Sequence, residues 1–156
     1  MNKTDGIGLS GQFTLIAQHS DGEVFAVRDI LNTITNSGMD EVAQLLCGEG
    51  GTAFDYVGLG SDSTAAAATD TELAAEIDYT STGAAARVQD ASPETATDKI
   101  ATIAAAFTFT DAYELKEVGL FNAETTGDML ARQVFAAINV ANGDSLTATW
   151  NITVGV

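Results

Sequence analysis

A chain of 156 residues, 46% hydrophobic and 18% charged, is of the size and composition of one domain that buries a stable core without disulfides or metal. Cys47 is the only cysteine, which excludes an intrachain disulfide. Six Lys and Arg against 22 Asp and Glu give a formal net charge of -16, which opposes a phosphate backbone and an anionic bilayer, so neither nucleic acid nor membrane is an expected partner.

The opening residues Met1 to Gly6 carry no apolar signal core, and no apolar run approaches the ~18 residues of a membrane span. The chain holds 26 Ala, 20 Thr and 13 Asp against 3 Lys and 1 Pro, with acid spread from Asp5 to Asp144. Its whole surface is therefore expected to be negative, which favours solubility at high salt and costs stability by self-repulsion at low salt. Seven Phe, three Tyr and one Trp must fill much of a core otherwise made of Ala, Val, Ile and Leu. So thin a core favours burial against sister subunits, and a homo-oligomer is expected.

In chain order, Phe13 to Ala17 and Glu23 to Val27 read as strands joined by His19-Ser20-Asp21-Gly22, a turn-competent cluster, and so as a hairpin. Ser37-Gly38-Met39-Asp40 has the spacing of a helix cap, and Met39, Val42, Ala43, Leu45 and Leu46 recur at helical period, which predicts a helix over 38–47 ended by Gly48. Cys47 closes that stripe and reads as a small buried thiol. Ala53 to Gly60 alternates as a strand. Ser61 to Asp78 reads as a loop with at most one helical turn after Thr69-x-x-Glu72, and Tyr79 to Asp98 as a weak strand and an exposed loop around Pro93. Ile100 to Phe109, Tyr113 to Phe121, Met129 to Phe135 and Leu146 to Val154 alternate as strands, with turns at Asn122 to Gly127 and Ala141 to Asp144. The pattern predicts an all-β fold: an antiparallel β-sandwich of seven or eight strands, with jelly-roll connectivity as one way to join them, and one short helix.

The side chains that carry chemistry have a bland reading that outweighs the functional one. His19 falls in a turn, and no signal brings it to Cys47 as the base a thiolate nucleophile needs. Gly58-Leu59-Gly60 lacks the Lys and Ser/Thr of a phosphate loop and reads as strand-end glycine. Asp62, Asp70, Glu72, Glu76 and Asp78 offer the oxygen ligands calcium takes, but without its loop spacing they read as a solvated acidic face. Trp150 lies in a regular strand and reads as core filler, not as a sugar platform. No catalytic residue, metal ligand or cofactor is expected. One structural pair is: if Phe121 pairs with Asp128 across the 122–127 turn, Leu115 faces Val134, Gly119 faces Leu130, and Glu117 lies directly opposite Arg132 on a mostly apolar face.

The segments Tyr113 to Asn122, Gly127 to Arg132 and Gly143 to Thr153 together resemble small virion proteins of tailed phages and related archaeal viruses, of the tail-fibre-like and head-decoration type. Tyr56 to Ser61, Thr69 to Leu73 and Glu76-Ile77 are similar to that family's middle motif, so the likeness covers residues 30 to 154 or so. The resemblance implies a structural protein on the virion exterior, a capsid decoration or turret subunit, with sister copies and other virion proteins such as the major capsid or tail proteins as partners. A tail-fibre, baseplate or receptor-binding component is the alternative, and a virion-borne carbohydrate-cleaving enzyme a remoter one.

Overall fold

The computed structural model describes residues 8–79, 87–96 and 98–155. In chain order these form β1 (Leu9–Gln18), β2 (Val24–Leu31), β3 (Thr33–Ile34), α1 (Asn36–Cys47), β4 (Tyr56–Gly60), β5 (Val88–Gln89), β6 (Glu94–Ala96), β7 (Ile100–Thr108), β8 (Tyr113–Phe121), β9 (Met129–Val140) and β10 (Ser145–Val154). The strands make two five-stranded antiparallel sheets, ordered β2-β1-β10-β7-β6 and β3-β9-β8-β4-β5. The pairs β1·β10, β3·β9, β4·β8 and β6·β7 nest within one another like a long hairpin folded over, with the two middle pairs sharing one sheet.

Period-two alternation puts the core between the sheets. Phe13, Leu15 and Ala17 of β1, Ile103, Ala105 and Phe107 of β7, and Leu146, Ala148, Trp150 and Ile152 of β10 are buried from one side. Val57 and Leu59 of β4, Leu115, Val118 and Leu120 of β8, and Ala131, Phe135 and Ile138 of β9 meet them from the other. Phe13 joins the two layers, its ring 5.1 Å from Trp150 in its own sheet and 6.2 Å from Phe135 in the other. Trp150 is fully buried.

Helix α1 begins two residues earlier than its cap motif suggested. Thr35 is the N-cap, its hydroxyl accepting from the Gly38 amide at 3.1 Å, and Ser37 lies in the first turn. Gly38 carries no side chain where the helix crosses β9, and a Cβ there would collide with the Leu130 backbone. Gly48 ends the helix in the left-handed region at φ 73°, its N–H donating to the Gln44 carbonyl. Buried Glu41 ties the helix down by accepting from the Thr52 amide at 2.6 Å and the Asn122 side-chain amide at 3.1 Å. Residues 61–78 form turns and a single bridge, Gly60 to Glu76, with no helical turn. Of the stretch from Tyr79 to Asp98, expected to hold a weak strand and an exposed loop around Pro93, residues 80–86 and 97 lie outside the described residues, and the rest holds the short strands β5 and β6.

The hairpin of β8 and β9 departs from its expected register by one residue at Phe121, two from Leu120 to Glu117 and four at Leu115. Glu117 lies opposite Val134 and Gly119 opposite Arg132, while Leu115 pairs with Ile138. Pairing that starts at Met129 and a bulge between Leu120 and Phe121 make the shift of two, and a bulge between Leu115 and Glu117 adds two more. This last bulge also changes which side chains face inward, sending Leu115, Val118 and Leu120 to the core and Glu117 to the outer face.

Candidate functional site

Two arginines organise the outer face of the sheet built from β4, β8 and β9. At Glu117 the register is shifted by two residues, an even number that leaves Glu117 and Arg132 on one face, so they meet as diagonal neighbours. Arg132 Nη2 and Nε donate to Glu117 Oε2 at 2.7 and 2.9 Å. The guanidinium also donates to Asp70 Oδ2 at 2.8 Å and to the Thr64 carbonyl at 3.1 Å. Glu117 is 0% exposed and Arg132 2%. Glu117 accepts two further bonds, from the Ala75 amide at 2.7 Å and the Ala74 amide at 3.1 Å. Burial works against the Arg132 charge, but its hydrogen bonds to Glu117 and Asp70 outweigh it and hold the pKa above the usual arginine value. The triad therefore straps residues 61–78 across the sheet.

Arg87 makes a second anchor beside the first. Its Nε and Nη2 reach Glu76 Oε1 and Oε2 at 2.7 and 3.0 Å, a two-pronged pair, and Nη1 donates to the carbonyls of Thr126 at 2.7 Å and Ala123 at 3.1 Å. Its Cζ lies 3.4 Å from the centre of the Phe121 ring, close enough for cation-π attraction. Leu73 and Met129 pack on that same ring. Gly58 and Gly60 are more than strand-end glycines here: a Cβ on Gly60 would collide with the Glu117 carboxylate, and one on Gly58 would crowd Glu76, Phe121 and Arg87. The alternate glycines of β4 clear the space that the buried ion pairs occupy.

The other side chains of interest are dispersed. Asp70 and Glu76 serve the two arginines, and Asp62 accepts from the Thr64 amide at 2.6 Å. Among the described residues no group of three or more His, Cys, Asp or Glu is placed to hold a metal ion, and no helix is long and apolar enough to cross a membrane. His19 stacks on Phe25 at 4.2 Å, and its Nδ1 lies 3.1 Å from Asp144 Oδ1, joining the β1–β2 turn to the β9–β10 turn. That hydrogen bond, against the pull of burial, raises the His19 pKa above 6.5, with Asp21 and Glu23 adding to it, and lowers that of Asp144. Cys47 is exposed, not buried as expected, because the last turn of α1 runs past the sheet that would have covered it.

The same overhang leaves α1 with an uncovered apolar face. Leu46 is 85% exposed, and Met39, Leu45 and Val154 of β10 are exposed around it. Two apolar hollows flank the helix and share Leu9, Val42 and Val154. One, of about 290 Å³, extends to Leu45, Phe54, Leu130 and Glu94; the other, of about 250 Å³, is walled by Met39, Ala43 and Leu46.

Sequence reasoning singled out Glu117 and Arg132 but passed over Arg87, Glu76 and the role of the two glycines. A signal was present: Arg87 is one of only six cations, set in an Ala-rich stretch. In so acidic a chain a lone arginine among small apolar residues points to a buried partner. Comparison with protein-family models, with curated proteins and with solved structures finds no match to this chain.

Proposed function

We propose that the chain is a structural subunit of the exterior of a tailed-virus particle, a capsid decoration or turret protein, assembled with sister copies and seated on other virion proteins. The observation that carries this reading is where the family-like segments lie. Tyr56 to Ser61 is β4 with its end, Tyr113 to Asn122 is β8, Gly127 to Arg132 opens β9 and Thr69 to Leu73 with Glu76-Ile77 is the strap across them, while Gly143 to Thr153 forms most of β10 in the other sheet. These segments supply Glu117, Arg132, Asp70 and Glu76, whose charges are spent in holding the strap. They build a scaffold held by buried ion pairs, which suits a structural subunit. Quantitative mass spectrometry of purified particles tests the reading. A decoration subunit is expected in fixed, high proportion to the major capsid protein; a few copies per particle would move it to the tail, and its absence from washed particles would end the proposal.

A further inference from the structure

We propose that the exposed face of α1 is a docking surface for a segment of another protein that presents two aliphatic or aromatic anchors flanked by Lys or Arg. An apolar cluster ringed by polar residues on an exposed surface is characteristic of an interaction site. Here it is shaped as well as exposed. The two hollows lie side by side and share Leu9, Val42 and Val154, so they suit two side chains carried on one segment. On the wall of the smaller hollow Leu46 stands 85% exposed, a projection that a small molecule in the hollow would leave in water but a protein segment laid along the helix would cover.

Charge selects among protein occupants. Glu94 lines the larger hollow, and Asp40 within the helix and Glu49 just past its end are exposed in a chain of net charge -16; against them stands Lys99, whose carbonyl accepts from the Val154 amide. A second copy docked symmetrically would bring the same carboxylates toward each other between two strongly acidic chains. A basic segment instead places its Lys or Arg against Asp40, Glu49 and Glu94 while its anchors enter the hollows.

The test uses the full chain, isotopically labelled, and two synthetic amphipathic helical peptides with the same leucine pattern, one flanked by Lys and the other by Glu. The control variant carries Met39→Ser and Leu46→Ser, both at exposed positions, which leaves the charge unchanged. The Lys peptide is expected to shift the amide resonances of α1, Leu9 and Val154, to bind about tenfold tighter than the Glu peptide, and to lose about tenfold in affinity on the variant. Equal affinity for the two peptides, or shifts spread over the acidic surface with unchanged affinity for the variant, would overturn the proposal. A homodimer that dissociates in the variant would overturn it too, by showing that the occupant is a second copy.

Discussion

Replacing Arg132 by Ala removes the hub of the strap. The guanidinium is 2% exposed and holds Glu117, Asp70 and the Thr64 carbonyl together, so its loss leaves the fully buried Glu117 carboxylate with only the Ala74 and Ala75 amides. Breaking a buried pair from one side costs about 3–5 kcal/mol, a large share of the roughly 5–15 kcal/mol by which domains are stable. Glu117→Ala is of the same order for a different reason: Arg132 keeps Asp70, but the amides of Ala74 and Ala75 lose their acceptor at about 1–3 kcal/mol for each buried group left unsatisfied. With both changes made, no buried charge of the pair is left alone, so the double variant should cost about 1–3 kcal/mol less than the sum of the singles. Urea unfolding of the wild type and three variants measures the cycle. Additivity within about 0.5 kcal/mol, or a cost below about 1 kcal/mol for Arg132→Ala, would refute the strap as a coupled unit.

Gly60→Ala should destabilise by about 1–3 kcal/mol, because its methyl group enters the Glu117 carboxylate; an unchanged urea midpoint would mean that the strap gives way freely. The raised His19 pKa makes its contribution to stability complete below pH 6.5 and lost as pH climbs through the folded-state value. His19→Gln should flatten that part of the melting profile, whereas a His19 pKa at or below 6.5 by NMR would contradict it. The lowered Asp144 pKa acts at the other end: its contribution is present above about pH 3.9 and is lost as acid takes the pH through the folded value. With a net charge of -16, thermal stability should rise as salt shortens the range of repulsion to about 8 Å at physiological strength; a flat or falling midpoint would mean the acids are locally compensated. Light scattering should find an oligomer that gains mass with salt, paired through the exposed Ile16, Val27 and Leu31 of β1 and β2, and a monomer at every salt concentration would count against it.

The sandwich was legible wherever alternation was strict. In β10 every second residue from Leu146 to Ile152 is buried, and β1 and β7 repeat the pattern, because a strand with one face on a core has no other way to place its apolar side chains. The order of the strands was not legible, since periodicity records facing and says nothing of neighbours. Register at Glu117 failed by two residues for a local reason: the bulge at Leu120/Phe121 leaves no composition signal, yet it moves the partners without turning Glu117 away from Arg132. Cys47 failed because a helical stripe reports which side is apolar, not whether a neighbour reaches it. Gly58 and Gly60 looked like punctuation, and only the side chains folded over them reveal that their missing Cβ atoms make room for charge.

Electron cryomicroscopy of purified virions that contain the protein decides whether it stands on the outside of a particle, as proposed. The expected result is a two-layered sandwich at repeated positions on the outer surface of the head, with α1 turned toward the protein that seats it. Density for this fold only at the tail, or head surfaces with no such subunit, would contradict the decoration reading.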